Sequence, residues 1–427
     1  MIAEVITIGD ELLRGEIIDS NKSYLSERLL EIDVHTRFHC SVLDHPSDMA
    51  DAFRRAADRS DIVLVSGGLG PTRDDITIEV LAETFGRKLE VHTPSLDALK
   101  AFFERFGREM SPSNATQAYF PVGSEVLPNP TGTAPGCMLE AGGAAFFCMP
   151  GVPRELYQMM IEQVTPRVAA RAGTEGVVVR SAILRTFGIG ESTLEDELTD
   201  VAREEHVQLG FRTTFPDNFL RPVARGATAA EADAHLAHAC KAIEDRLGAL
   251  VYGRDDESME LVVGRLLEEQ GATVAVAESC TGGMLGERIT SVPGSSAWFL
   301  GGVQAYSNAV KHALLGVPEA MLAEHGAVSE PVACAMAEGA RDRLGATWAL
   351  STTGISGPDG GTKDKPVGTV WVGRAGPDGS QAQEFLFPFD RQRNRQATVQ
   401  IALDGLRRVL LGLEAEVPRW LNQKGRA

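Results

Sequence analysis

Two stretches of the chain place reactive side chains where a strand runs into a helix. In Val274-Ala-Val-Ala-Glu-Ser-Cys-Thr-Gly-Gly283 an apolar run ends on Ser279, Cys280 and Thr281 ahead of two glycines. A hydroxyl beside a helix N-terminus suits nucleophilic catalysis, because helix amides hold a phosphate or stabilise an oxyanion. Such a serine needs a base. No histidine lies in a comparable motif, but Tyr306-Ser-Asn-Ala-Val-Lys311 offers a lysine. Lysine acts as a base once desolvation or a cationic neighbour lowers its pKa. Cys280 is a rival nucleophile without a histidine partner. The competing reading is that Ser279 and Thr281 merely cap a helix over Met284–Thr290. Two further clusters follow. Ser351-Thr-Thr-Gly-Ile-Ser-Gly-Pro-Asp-Gly-Gly361 has the glycines and hydroxyls that suit a ribose-phosphate. In Asp390-Arg-Gln-Arg-Asn-Arg395 an arginine can fork onto a phosphate, or all three can form a solvated ridge behind an N-cap aspartate.

The second stretch is Val63-Leu-Val-Ser-Gly-Gly-Leu-Gly-Pro-Thr-Arg-Asp-Asp-Ile-Thr77. Gly67, Gly68 and Gly70 permit close backbone approach to a phosphate at the start of the next helix. Thr72, Asp74 and Asp75 sit beside them, and carboxylates next to phosphates work through a divalent metal. The plainer reading has the aspartates capping a helix over Ile76–Phe85. No Gly-Lys-Ser/Thr follows, so this is not a P-loop, and it lacks the GxGxxG fingerprint. Asp10, Glu11, Asp19 and Asn21 after the first strand, and the rigid loops 129–136 and 150–155 ending on Glu155, are candidates for the same crevice.

Positioning these residues takes alternating strands and helices. Strands are expected at Ala3–Ile8, Val34–Cys40 and Ile62–Ser66, with helices at Asn21–Glu31, Asp48–Ala57 and Ile76–Phe85. This alternation implies parallel βαβ units. Residues 170–254 read instead as a small α+β module, with a helix over Ala229–Arg246 and an acidic linker at Arg254–Ser258. His235 and His238 on that helix have no third ligand in sight and read as a solvated face. From Met259 a second α/β pattern runs to a helix over Gln396–Leu411. The 427 residues fit two to four domains. Six cysteines, never closer than 11 residues, exclude CxxC motifs and fit reduced thiols. No apolar stretch reaches membrane-span length and the N-terminus has no signal-peptide pattern, so a cytoplasmic location is expected. A net charge of −18 gives no global attraction to nucleic acid or anionic lipid.

The stretches GDELLRGEIIDSN, SGGLGPTRDDIT, NPTGTAPG and PGVPRE together resemble the CinA family, whose first domain is similar to the molybdopterin-binding fold. AESCTGG, GSSAWFLGGVQAYSNAVK, TGISGPDGG and DRQRNRQA resemble its C-terminal domain, and Arg185-Thr-Phe-Gly-Ile-Gly-Glu191 its KH-like centre. The resemblance covers essentially the whole chain. It implies an α/β protein with a three-layer molybdopterin-binding-like domain over 1–168, a small α+β KH-like module over 169–254, an α/β CinA amidase domain over 255–415, and a tail over 416–427. The centre carries GxG rather than GxxG, followed by four acids in Glu191–Glu197, so nucleic-acid binding is not expected there.

For the C-terminal domain the resemblance implies a nicotinamide mononucleotide amidase that needs no cofactor. Ser279 would be the nucleophile and Lys311 the base, with Tyr306 in the catalytic group. Thr281, Gly282, Gly283, Thr353, Gly354 and Arg395 would line the substrate site. Some relatives carry Ala where Ser356 stands, which argues against Ser356 as nucleophile. For the first domain the resemblance implies an ADP-ribose pyrophosphatase using a divalent metal (Mg, Mn or Co), although the Nudix box is absent. Gly67, Gly68, Gly70, Thr72 and Asn21 would bind substrate, Asp75 would be catalytic, and Asp74, Asp75 and Glu155 would hold the metal. Asp75-Ile-Thr77 falls where molybdopterin-nucleotide enzymes carry Asp-x-Thr. The expected partners are these two nucleotides and a second copy of the chain, with no membrane. Two other readings stay open: a molybdopterin-nucleotide transferase, and a non-enzymatic partner in DNA uptake.

Overall fold

The strand Ile62–Ser66 is buried at every position, and its alternate residues feed two cores, one on each face of a sheet. Val63 and Val65 pack toward the helices Pro46–Arg59 and Thr77–Thr84. Ile62 and Leu64 pack toward the helices Ser20–Leu30 and Pro153–Met159. A strand covered on both faces must be apolar throughout, which is why this one shows no alternation. The computed structural model of the chain describes residues 1–427 except 106, 108, 175, 415–417 and 422–427. Of the expected tail, all but 418–421 lies outside the described residues. The chain packs as two units, 1–180 with 225–234, and 181–224 with 235–427.

In the first unit six strands lie in the order His35–Val42, Ile2–Ile8, Ile62–Ser66, Ala144–Met149, Gly136–Ala141, Glu125–Leu127. The first four are parallel, Gly136–Ala141 pairs antiparallel with both of its neighbours, and helices cover both faces: three layers. Thr7 pairs with Ser66 and Ser66 with Met149, so three parallel strands end side by side and release the loops at Gly9, Gly67 and Pro150 along one edge. The hairpin Gly136–Met149 and the helix Thr93–Arg105 were not expected from the sequence. The hairpin turns on Gly142-Gly143, both at positive φ, as a two-residue turn matched to strand twist requires.

Most of the small module belongs to the second unit; its antiparallel strands are ordered Val207–Thr214, Asp217–Gly226, Leu184–Thr186, Val251–Arg254, and Ala239, Cys240, Ile243 and Leu247 of the helix Ala229–Leu247 share their core. The α/β part orders its strands Phe299–Gln304, Val274–Glu278, Trp348–Gly354, Thr369–Gly376, Gly379–Leu386, the first three parallel. Val274, Val276 and Leu350 pack against the helices Met259–Glu269 and Arg391–Leu410, while Ala275, Ala277 and Ala349 face the helix Glu330–Leu344 on the other side. The expected acidic linker is a tight turn instead. Asp255 has φ 49°, and Glu257 accepts a hydrogen bond from Arg254 N at 2.9 Å before Ser258 caps the next helix. Phe187 and Tyr252 of the small module lie in the same core as Met259 and Val263. Among the described residues no helix is long and apolar enough to cross a membrane.

Candidate functional site

Each unit carries a cleft at the C-terminal edge of its parallel strands, where open α/β sheets bind ligands. In the first unit the cleft has a volume of about 520 Å³ and is lined by Gly67, Gly68, Gly70, Asp74, Asp75 and Glu155, all anticipated. Glu11 and Asp44 also line it, and its lining includes no Lys or Arg among the described residues. The sequence reading missed Asp44, which sits just past the strand His35–Val42 and exchanges backbone-to-carboxylate hydrogen bonds with Asp10 at 2.9 and 3.2 Å. Burial pushes the Asp44 carboxyl up, and the charges of Asp10, Asp74 and Glu11 push the same way.

The aspartates do not cap the helix Thr77–Thr84, which has no side-chain cap. They turn back onto Thr72: its N–H donates to Asp75 at 2.8 Å, and its hydroxyl lies in hydrogen-bond reach of both Asp74 and Asp75. That hydroxyl holds Asp74 below the usual carboxylate range. A Cβ on Gly70 would stand 2.4 Å from Asp75 Oδ2, so any larger residue there would displace this carboxylate. Thr77 Oγ1 donates to Gly67 O at 2.9 Å and locks the turn from behind. Asn21 does not line the cleft; its Nδ2 ties Gly151 O (2.7 Å) to Ser66 Oγ (3.1 Å), leaving Oδ1 buried with no partner among the described residues.

One hydroxyl proton serves one carboxylate at a time, so the pair Asp74 and Asp75 leaves negative charge uncompensated. The donors suit a hard cation that takes one or two carboxylates and completes its shell with phosphate oxygens and water. They are not a three-acid cage. Glu155 is held by Asn129 Nδ2 at 2.6 Å, and among the described residues no group of three His, Cys, Asp or Glu is placed to hold an ion. The same holds for His235 and His238.

In the second unit the cleft measures about 180 Å³, and its lining includes Ser279, Cys280, Tyr306, Lys311, Thr353, Gly354, Ser356 and Arg391. Ser279 follows directly on the strand Val274–Glu278, and Lys311 comes from the helix Asn308–Leu315. Lys311 is 1% exposed, and its Nζ lies 3.0 Å from Ser279 Oγ, 2.8 Å from Ala305 O and 3.2 Å from Tyr306 O. Burial lowers its pKa. Burial also pushes the Cys280 thiol up to about 11, so it is no thiolate at neutral pH.

Three expectations need correction here. The first turn of the helix Met284–Thr290 is not available to a ligand, because the buried Glu278 carboxylate accepts from Gly283 N (3.0 Å), Leu285 N (3.0 Å) and Gly286 N (2.8 Å). Ser279 and Thr281 are therefore not its caps, and Glu278 is the residue that sequence reasoning missed. The amides next to the serine, those of Cys280 and Thr281, donate to no backbone carbonyl among the described residues. Thr281, Gly282 and Gly283 stand behind the cleft: Thr281 is fully buried, with its hydroxyl 2.7 Å from that of Thr352. Arg395 grips Thr281 O at 2.6 and 3.2 Å instead of lining the cleft. Arg391 lines it, donating to Gly357 O at 2.8 Å with Nη2 3.4 Å from Tyr306 Oη. The helix starts at Arg391, earlier than expected, with Asp390 as N-cap.

The comparisons agree with this layout. Residues 4–170 match a family model described as "Probable molybdopterin binding domain", residues 181–253 one described as "Damage-inducible protein CinA KH domain", and residues 256–410 one described as "CinA C-terminal domain". A CinA-like protein of Anaeromyxobacter sp. (strain Fw109-5) is 46% identical over 410 residues, covering 95% of this chain and 98% of that protein. A CinA-like protein of Citrifermentans bemidjiense is 44% identical over 414 residues, covering 96% and 98%. The crystal structure of the protein CinA from Thermoplasma acidophilum aligns at 32% identity and a TM-score of 0.37, over 39% of this chain and 97% of that one. With relatives of this identity running along nearly its full length, the chain belongs to the CinA family.

Proposed function

We propose that the cleft of the second unit hydrolyses a primary carboxamide, that of nicotinamide mononucleotide, to the acid and ammonia. Lys311 is the observation that carries this reading. A neutral amine has two hydrogens and one lone pair. Ala305 O and Tyr306 O take the hydrogens, which aims the lone pair at Ser279. Ser279 Oγ attacks the carboxamide carbon while its proton passes to Nζ, and Nζ returns that proton to the departing nitrogen. Water then hydrolyses the ester with the same base. The Cys280 and Thr281 amides are placed next to the serine, where an oxyanion forms. The cleft, at about 180 Å³, is small beside the roughly 300–1,000 Å³ of drug-sized sites. It suits the amide-bearing ring, with sugar and phosphate at the mouth beside the 66% exposed Tyr306 and the Arg391 fork.

For the first unit the reading is cleavage of the ADP-ribose pyrophosphate to AMP and ribose 5-phosphate. A cleft with five lining carboxylates and no Lys or Arg repels phosphate unless a cation joins them. Asp74 and Asp75 would hold that cation, which would neutralise the pyrophosphate and the charge that develops on the leaving phosphate. Thr72 orients both carboxylates, and Thr77 keeps the glycine turn in place. Ammonia release from nicotinamide mononucleotide, run beside AMP release from ADP-ribose with added Mg²⁺, Mn²⁺ or Co²⁺, tests both halves. No ammonia from folded protein rejects the amidase reading, and no AMP with any of the metals rejects the pyrophosphatase reading. The match of residues 4–170 to a molybdopterin-binding family model favours a second reading for that cleft, a molybdopterin-nucleotide transferase. Molybdopterin capture without AMP release would select it.

A further inference from the structure

The small module joins its strands Val207–Thr214 and Asp217–Gly226 through Phe215-Pro216, and this tip packs against the core of the α/β part. Phe215 meets Phe389 edge to face, with ring centroids 4.9 Å apart. Phe389 in turn stacks on the buried Phe387 at 6.4 Å. The Arg393 guanidinium carbon lies 5.6 Å from the centre of the Phe215 ring, a cation–π distance. Next in the hairpin, Asp217 accepts from Gln400 Nε2 at 2.6 Å, and the fully buried Gln400 accepts from Arg288 Nη1 at 2.6 Å. The tip thus grips the helix Arg391–Leu410 at its first turn and again about two turns further along. That helix is already capped, because the Asp390 carboxylate accepts from Arg393 N at 2.9 Å. A clamp on its outside therefore adds position rather than helicity.

What the clamp fixes is a rotation. Arg391 and Arg395 are four residues apart and share one face of the helix, while Arg393, two from each, points to another. On the first face Arg395 holds Thr281 O, and Arg391 reaches the amide cleft beside Tyr306 Oη. On the other face Phe215 holds Arg393. A helix held on two faces resists turning about its axis, and Arg391 stays over the mouth of the cleft. Among the described residues none of the small module lines that cleft, so Phe215 touches no substrate and acts through its neighbours. Resting on the amidase reading, we infer that Phe215 is a positioning residue for the substrate phosphate: by holding Phe389 and Arg393, which flank Arg391 in the chain, it sets the aim of the Arg391 guanidinium. The dyad is carried by other elements, Ser279 after the strand Val274–Glu278 and Lys311 on the helix Asn308–Leu315. The small module thereby tunes affinity for phosphorylated substrates and leaves the attack of Ser279 alone.

The test compares two substrates that differ only in the phosphate, nicotinamide mononucleotide and nicotinamide riboside, on the full chain in EDTA, which denies phosphate a cation in the acid cleft. Phe215→Ala should raise KM for the mononucleotide about tenfold, within the worth of one charge-assisted hydrogen bond, and hold kcat within about threefold. For the riboside both constants should stay within about twofold of the native chain, since Arg391 has no phosphate to meet. The ratio of the two kcat/KM values cancels any unfolded fraction. Phe215→Tyr, which keeps the ring, should restore the native ratio. Arg391→Ala should show the same pattern more strongly, and adding Phe215→Ala to it should change the ratio no further. A ratio that Phe215→Ala leaves unchanged, or a change that adds to that of Arg391→Ala, overturns the positioning role. The same comparison by calorimetry, with nicotinic acid mononucleotide and nicotinic acid riboside, needs no turnover. Selective weakening of the mononucleotide by Phe215→Ala upholds the positioning role even in a chain that releases no ammonia, a result that sinks the amidase reading alone. Equal weakening of both, or none, overturns it.

Discussion

A lysine amine withdrawn from water, with no carboxylate partner among the described residues, opposes folding, and Lys311 is in that position. Its folded pKa is lowered, so below the ordinary lysine value of about 10.4 the unfolded chain binds the proton more tightly. Stability from this group therefore rises with pH, and at neutral pH the residue costs stability. Lys311→Met, similar in volume, should unfold at the same or a higher temperature at pH 7 yet lose about 10³-fold or more in ammonia release. A melting scan and an assay on one sample check both. In the native chain kcat/KM should fall as pH drops through the lowered lysine pKa, because the ammonium form has no lone pair for the Ser279 proton. Ser279→Ala should cost about as much as the lysine change, and the double variant little more, since the two act as a unit. Cys280 behaves in the opposite way. With its thiol near 11, Cys280→Ala should retain turnover within about threefold, and iodoacetamide at pH 7 should not inactivate. Ser279 and Lys311 were legible because motif and spacing belong to the residues themselves. Arg391 was not: Arg391, Arg393 and Arg395 alternate along one helix, and only its phase decides which faces the cleft and which holds Thr281.

At the scale of elements, two turns carry the sites, and each is organised by a carboxylate. Glu278 closes three amides at the start of the helix Met284–Thr290. Glu278→Ala would leave those donors buried and unpaired, at about 2 kcal/mol or more. The variant should melt lower, and its ammonia release should fall because the serine turn loses its anchor. Glu278→Gln, which keeps an acceptor, should recover part of both. The sequence did not announce Glu278, since a side chain that pairs with backbone amides leaves no complementary residue to notice. In the other turn, EDTA should abolish AMP release and spare ammonia release, and Asp75→Asn should mimic EDTA for AMP alone. Loss of both reactions on chelation in folded protein would sink the division of chemistry between the clefts. The strands Ile2–Ile8 and Ile62–Ser66 were legible, to within a residue, from short runs dominated by apolar, β-branched residues. Asp44 was not, because its place in the cleft follows from strand order, which brings His35–Val42 beside Ile2–Ile8.

For the whole molecule, the second unit is joined internally where the sequence suggested a linker. Asp217, on a strand of the small module, accepts from Gln400 Nε2 of the last helix at 2.6 Å. Burial pushes its carboxyl up to about 7 against the pull of Arg288. Tyr252, Glu260 and Arg185 also face it. Between about pH 4 and 7 the folded chain then holds a proton that the unfolded chain releases, so this contribution to stability falls as pH rises across that window and levels above it. Asp217→Asn should melt above the native chain at pH 8, with the gap narrowing toward pH 4.5. A gap independent of pH would show that Asp217 is already charged in the fold. The three-part layout was legible because each part has its own alternation of apolar runs. The joint between the last two was not, since Phe187 and Tyr252 look like ordinary residues of the small module and enter the neighbouring core only in three dimensions.

The grip of Arg395 on Thr281 spans 114 residues of chain, and this sets an order of events during synthesis. The first unit has every lining residue of its acid cleft by Glu155, long before translation ends. The serine turn emerges early in the second unit but stays unfastened until the last helix is made, and Arg391 arrives with the same segment. A nascent chain stopped short of residue 390 already carries Ser279, Lys311 and Thr353, yet lacks both arginines. The turn that bears Ser279 is thus fastened last, and a translation product truncated before residue 390 lacks the arginine that holds it.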